Sequence, residues 1–483
     1  MLVGVFQRSL SFSPADFSHK SFKDRKISST FQPNIVRFPS KFDPETKKIA
    51  IVEPSQLVSA SASSVGGSSA DYPEQLLDAQ KKKKRKLIAG IDQDELLDPA
   101  NLADPDSCFC EFNGVQIHHK VYNVESKASE TLETKKIGFP MILLHGFGAS
   151  VFSWNRVMKP LADVTGSKIL AFDRPAFGLT SRLSLSEISA SFKGDARPLN
   201  PYSMAFSVLA TLYFIGFLGA EKAILVGHSA GSLVAVNAYL EAPERVAALI
   251  LVAPALLAPR AVHKVEKNKL ERDNWTEDDS SSTNSLGNPL IQFLNTVSKF
   301  AKMIVQAILG MVKGMTDVLN SLYKRFFSAF LRSTLGVMLV RIIIDKFGIA
   351  AVRNAWYNPN QVDEHVLTGY TKPLRTKGWD RALVEYTAAM LADTSSESKP
   401  PLTKRLHEIS CPVLIVTGDT DRLVPSWNSK RLSRAIPGSQ FEVIKHCGHL
   451  PHEEKVDEFV SIVQRFLQRA FGDAEEQNLQ VVV

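Results

Sequence analysis

The 483-residue chain is predicted to be α/β, with a mostly parallel sheet, on three observations. From Phe109 onward, short runs of strand length alternate with helical segments; most of the runs are apolar throughout; and most are followed within two residues by Gly, Asp or His. Continuously apolar strands bury both faces, which happens when helices cover a parallel sheet, and the C-terminal strand ends are where such folds carry their sites. The runs are Val115–Val121, Pro140–Leu144, Lys168–Phe172, Ala223–Val226, Val246–Val252, Val413–Val416 and Phe441–Ile444, with helical segments such as Met204–Leu218 and Ser232–Glu241 between them.

Composition sets the outer limits. With 44% hydrophobic and 22% charged residues the chain resembles soluble globular proteins and has enough apolar content for a sizeable core. Collagen-like, wholly disordered and disulfide-rich classes are excluded. Cys108, Cys110, Cys411 and Cys447 are too few and too irregular for a disulfide framework, and they lack zinc-ligand spacing, so no metal and no cofactor is expected and a reducing compartment fits best. Cys108 and Cys110 read as ordinary thiols in or near a strand, with a redox-active pair as the alternative. The net charge of +7 sits largely in the N-terminal segment and one lysine run, so nucleic acid is not an expected partner.

Residues 1–70 are rich in Ser, Lys and Arg, and the first forty carry only Asp16 and Asp24 as carboxylates. Such acid-poor, Ser-rich composition marks an organellar transit peptide and favours a plastid; an untargeted disordered tail is the alternative. Residues 71–107 are expected as a charged linker. Within it Lys81–Lys86 reads as a solvated segment, with attraction to anionic lipid or nuclear import as other readings.

The long interval between Val252 and Val413 cannot be an unstructured loop inside a compact domain. It holds a polar stretch, Lys264–Asn288, then an apolar region from Leu290 to Ala351 in which Asn295, Lys299, Lys302, Gln306, Lys313, Asp317, Asn320 and Lys324 recur at helical steps. The stripe is narrow and basic, with Lys302, Lys313 and Lys324 on one face. The remaining wide apolar surface must meet protein, substrate or lipid. No uncharged run reaches the length of a membrane span.

Chemistry is carried by Gly227-His228-Ser229-Ala230-Gly231, which directly follows one strand and precedes a helix. A sharp strand-to-helix turn holds a serine hydroxyl above the sheet, with glycines where side chains would clash. A serine needs a base, and the base needs an orienting group. Gly418-Asp419-Thr420-Asp421 and Cys447-Gly448-His449 each follow a later strand, giving the order Ser, Asp, His.

These motifs, with His145-Gly146-Phe147-Gly148 and Asp173-Arg174-Pro175-Ala176-Phe177-Gly178, make residues 108–472 resemble an α/β-hydrolase of the esterase, lipase and carbon-carbon bond hydrolase kind. The resemblance implies an eight-stranded, mostly parallel sheet with a helical cap inserted after the sixth strand. It divides the chain into core (108–256), cap (257–392), core (393–475) and tail (476–483). It implies Ser229 as nucleophile, His449 as base and Asp421 as acid, with Asp419 a turn residue and His446 and His452 the lesser candidates for the base. The amides of Phe147 and Ala230 would form the oxyanion hole, and His145 would shape its loop. Ala176 departs from the usual glycine and Val456 from a frequent proline.

The chain is further similar to plant chloroplast α/β-hydrolases that act on phytyl and related esters. The expected function is therefore hydrolysis of a carboxylic ester of a hydrophobic small molecule in plastids, with possible peripheral contact with a plastid membrane. An acyltransferase or galactolipid lipase, and a silent receptor or scaffold, are the alternatives; the oligomeric state is not legible. A fluorescent fusion of residues 1–80 is expected to enter chloroplasts, whereas nuclear accumulation of the full-length fusion would make the lysine run the address.

Overall fold

The computed structural model describes residues 86–123, 137–183, 187, 199–259, 319–393 and 400–472. The leader, most of the lysine run, the polar stretch 264–288, most of the basic stripe and the tail lie outside the described residues. The chain divides into two compact units, residues 1–84 and 85–483, and all described residues belong to the second.

Eight strands form one sheet: β1 (Cys108–Phe112), β2 (Val115–Tyr122), β3 (Met141–Leu144), β4 (Ile169–Phe172), β5 (Ala223–His228), β6 (Val246–Val252), β7 (Val413–Gly418) and β8 (Gln440–Ile444). Their order across the sheet is β8-β7-β6-β5-β3-β4-β2-β1. β2 runs antiparallel to both β1 and β4, and every other pairing is parallel. The expected fold class is met, including the insertion after the sixth strand. The seven strands read from sequence are present, and β1 adds an eighth at the edge, where Cys108 and Cys110 lie.

Every residue of β3, β4, β5, β6 and β7 is buried, which is why these runs are apolar throughout. Successive side chains enter two different cores. Ile142, Leu144 and Leu225 face the helices α2 (Met204–Phe217) and α3 (Ala230–Glu241). Met141, Leu143, Ile224 and Val226 face α1 (Asn155–Thr165) and the last helix, Val456–Phe471. Ser203 starts α2 by accepting a hydrogen bond from the Phe206 amide, and Gly166, at φ 62°, ends α1 in the left-handed conformation. Chain order reverses across β3, with β4 on one side and β5 on the other, so a crevice opens there at the carboxyl ends of the strands.

In the insertion the described residues form a helical stretch over 319–332, then α4 (Thr334–Ala355), α5 (Glu364–Thr371) and α6 (Trp379–Asp393). Ser333 and Asp363 cap α4 and α5 through the amides of Gly336 and Val366. The outward side of this region is apolar: Phe326 is 75% exposed, Leu335 68% and Phe347 63%, with Leu319, Leu322, Tyr323 and Met338 also exposed. No helix among the described residues is long and apolar enough to cross a membrane.

The charged linker expected over 71–107 is a folded strap from residue 86. Leu87–Ile88 and Ile91–Asp92 make a hairpin whose turn residues Ala89 and Gly90 both have positive φ. The Ala89 amide donates to Asp345 of α4, Trp379 donates to Gln93, and Leu97 pairs with residues 375–377. Two-residue strands leave no periodic signal, and the partners lie more than two hundred positions away, so only tertiary pairing creates this element.

Candidate active site

Ser229 closes the turn between β5 and α3 with φ 50° and ψ −117°, a conformation that costs a non-glycine residue about 1–3 kcal/mol. The surrounding structure holds it there. Its amide donates to the Val252 carbonyl and its carbonyl accepts from Ser232 and Ala255. The glycines of the motif are required by contact: a Cβ at Gly227 would lie 2.6 Å from the Ser232 Cα, and one at Gly231 would strike the Leu144 carbonyl. A Cβ at Gly146 would come within 2.9 Å of the His228 ring and 3.2 Å of the Ser229 Cβ, so the 145–148 loop packs directly on the serine turn.

His449 and Asp421 come together from the ends of β8 and β7. Nδ1 of His449 lies 2.7 Å from Oδ2 of Asp421, and both side chains are buried. Oδ1 of Asp421 accepts from the amides of Leu423 and Val424, each at 2.8 Å, which fixes the carboxylate plane. The His449 carbonyl accepts from Nε2 of His228, the residue before Ser229, at 3.0 Å. The Ser229 hydroxyl itself makes no hydrogen bond to His449. In unliganded enzymes such bonds are often long and tighten only with substrate.

The other candidates are placed elsewhere. Asp419 accepts from Thr420 and from the Cys447 amide. His446 is exposed beside Tyr357. His452 is fully buried, 4.3 Å from the Trp154 ring centre, and burial pushes it down to about 3. Phe147 and Ala230 flank the serine turn, and neither backbone amide donates a hydrogen bond among the described residues; Ala230 is the first residue of α3, where N–H groups have no partner within the helix. Both amides are free to meet an anion.

His145 is buried and shapes its loop as expected. Burial, with the neighbouring Arg174 cation, holds it neutral, down to about 3. Nε2 accepts from the Arg174 amide, so Nδ1 carries the proton and donates to the Gly146 carbonyl at 2.8 Å. Arg174 is a site residue that sequence reasoning passed over. Its buried guanidinium donates to the carbonyls of His145 (2.9 Å) and Gly146 (3.4 Å) and to Tyr386 of α6, without a carboxylate partner among the described residues. Phe177 packs edge-on against both Phe147 and Tyr386, and its ring and that of Tyr386 lie against the Arg174 guanidinium, joining the loop to the cap through aromatic surface. Ala176, in place of a glycine, takes φ 79° in the same turn.

The loop that carries His449 is clasped by the insertion. The His449 amide donates to the Ala355 carbonyl at 2.7 Å, and Glu454 accepts from the amides of Gly448 and Tyr357. Tyr370 of α5 donates to Glu453 at 2.5 Å. Among the described residues no cluster of three or more His, Cys, Asp or Glu could hold a metal. All four cysteines are free, and burial pushes Cys110 up to about 11.

A parallel sheet bearing a strained serine at the end of its central strand, with a histidine–aspartate pair two strands away, defines the hydrolase type of α/β fold. The chain belongs to the α/β hydrolase fold family, whose profile matches residues 140–456. It is similar to 2-hydroxy-6-oxo-6-phenylhexa-2,4-dienoate hydrolase of Burkholderia cepacia, 24% identical over 332 residues that cover 68% of this chain and 88% of the relative. It is also similar to abhydrolase domain-containing protein abhd-5.2 of Caenorhabditis elegans, 25% identical over 340 residues, 68% of this chain and 59% of the relative. Among solved structures, Cfl2 from Burkholderia cenocepacia aligns with TM-score 0.48 and 18% identity over 75% of this chain and 98% of that one. An esterase from Thermogutta terrifontis aligns at 0.44 and 17%, over 76% and 99%. These relatives lend nothing to the narrower resemblance to plant chloroplast esterases.

Burial pushes Glu453 up to about 8, well above a free carboxyl. A raised carboxyl pKa means that the folded state binds the proton more tightly, so the contribution to stability is complete below about pH 4.5 and is lost as pH rises toward 8. Melting temperature is expected to fall across pH 5–8 in the natural chain and to fall less steeply in Glu453→Gln, which keeps an acceptor for Tyr370. Parallel curves would place the proton elsewhere.

Proposed function

We propose that the chain is a carboxylic ester hydrolase acting on a hydrophobic substrate, a prenyl, phytyl or long-chain acyl ester, through an acyl-enzyme on Ser229. The observation that carries this reading is the buried His449–Asp421 bond of 2.7 Å beside a serine held in a strained strand-to-helix turn. Asp421, fixed by two amides, orients Nδ1–H of His449 and leaves Nε2 to take the serine proton. The serine oxygen attacks the ester carbonyl. The amides of Phe147 and Ala230 receive the oxyanion, each such donor lowering the barrier by about 3 kcal/mol. His449 returns the proton to the departing alcohol, and water repeats the sequence on the acyl-enzyme.

The aromatic wall of Phe147, Phe177 and Tyr386 supports an apolar substrate. The same acyl-enzyme passes its acyl group to an alcohol wherever water is excluded, so acyl transfer and galactolipid hydrolysis are the alternatives, and a silent receptor is a third. A plastid is the proposed compartment, from the composition of the leader.

Ser229→Ala and His449→Ala should retain the native circular dichroism and lose about 10⁴-fold or more of kcat on p-nitrophenyl palmitate; Asp421→Asn should lose about 10⁴-fold. Adduct mapping with a long-chain fluorophosphonate should find Ser229, and its absence there would refute the assignment. A 2-hydroxy-6-oxo-dienoate, assayed alongside, would be favoured if the carbon-carbon chemistry named for the Burkholderia cepacia relative applies.

The exposed apolar surface of 319–347 is proposed to rest on a membrane interface. Phe326→Asp with Leu335→Asp should abolish flotation with anionic liposomes while sparing short-ester turnover. Undiminished flotation would exclude this surface from membrane contact.

A further inference from the structure

A second serine–histidine–aspartate chain lies outside the site described above. Ser107, half-buried on the loop entering β1, has its hydroxyl 2.8 Å from Nε2 of His118 on β2. Nδ1 of the same ring lies 2.6 Å from Oδ2 of Asp173, just past β4. His118 and Asp173 are both buried.

Proton positions in this chain follow from its chemistry. Burial acts to raise Asp173, but His118 and His145 beside it and the Leu179 amide outweigh that and bring it down to about 2. An ionised carboxylate only accepts, and Asp173 also accepts from the amides of Val151 and Leu179, each at 2.7 Å. His118 must therefore donate through Nδ1; in the neutral ring Nε2 then carries a lone pair, to which the Ser107 hydroxyl donates. The Asp104 amide, 3.0 Å away, occupies the other side of the serine oxygen. This is the hydrogen-bond direction that activates a serine nucleophile.

The histidine and the aspartate open on a cavity of about 420 Å³, within the range of small-ligand sites, whose wall includes Asp104, Asp106, His118, Lys120, Asp173 and Lys372. Lys120 pairs with Asp104 at 3.1 Å and Asp106 at 2.8 Å, and Lys372 with Asp104 at 2.5 Å. Two ammonium groups face three carboxylates, so the cavity holds no surplus positive charge to draw an anionic substrate. A purely structural role accounts for Asp173, which ties down a turn. It does not account for a half-buried hydroxyl 2.8 Å from the outer nitrogen of a histidine that itself lines a cavity.

We propose that Ser107, His118 and Asp173 form a second acyl-accepting site, specific for short uncharged acyl esters. The Ser107 oxygen bonds to the ester carbonyl carbon as its proton passes to Nε2 of His118. The bond to the leaving alkoxide breaks and the alcohol departs with that proton. Water, giving a proton to the same nitrogen, then releases the acid and restores the hydroxyl.

The test uses the full chain and p-nitrophenyl acetate. Acid-quenched digests should show acetyl on Ser107 as well as on Ser229, and in Ser229→Ala on Ser107 with residual turnover. Adding Ser107→Ala to Ser229→Ala should lower that turnover at least tenfold while the native circular dichroism is retained. Turnover that is equal in the two variants, or acetyl on Ser107 no more abundant than on exposed serines and on Ser107 of urea-denatured chain, would overturn the proposal. The mapping in the unsubstituted chain needs no variant to fold.

Discussion

The left-handed backbone of Ser229 is the constraint from which the rest of the site follows. A serine at φ 50° survives only where neighbouring structure over-determines it, and here the determinants come from three strands. β6 supplies the Val252 carbonyl for its amide, β5 delivers it rigidly, and the end of β3 packs against Gly231 so closely that no side chain fits between. Because the turn is sharp, the first amide of α3 is left without a partner at the point where the 145–148 loop presents another. The strained serine and the unpartnered amide thus arise from one geometry.

Around that turn, buried polar groups take the place of ordinary packing. Arg174 spends its guanidinium on loop carbonyls, and His145, neutral through burial, converts the next turn into a bracket for the same loop. His228 ties the serine turn to the His449 carbonyl. Each of these hydrogen bonds is made out of contact with water, where breaking it is costly, so together they hold the loops at one spacing. The cap is part of this frame. Ala355, Tyr357 and Tyr370 bond to the segment that carries His449, so the insertion and the His449–Asp421 pair are mechanically one piece.

How much was legible in the sequence depended on how local each signal was. Buried parallel strands such as Val246–Val252 and Met141–Leu144 announced themselves as apolar runs, and the serine turn as small residues between a strand and a helix. Asp421 and Asp419 were separated by motif, and the structure gives a reason: the Asp421 carboxylate meets the His449 ring, whereas Asp419 accepts from Thr420 and from the Cys447 amide. Arg174 stayed hidden because an arginine following an aspartate reads as surface, and nothing local reveals that its partners are carbonyls thirty positions earlier. The hairpin of 87–92 stayed hidden for the same reason, being held by α4 and by Trp379.

What the sequence by itself determined was the class of sheet, the order of the chemical groups along the chain and the place of the insertion, since periodicity and turn chemistry act over a few residues. The tertiary structure alone decided which polar groups share a proton. Ser107 and His118 carry no local signal and meet Asp173 only because β2 runs antiparallel between β1 and β4, setting His119 opposite both Cys108 and Phe172. Hydrogen bonds of this kind are fixed by strand register across the sheet, a long-range property that no local pattern encodes.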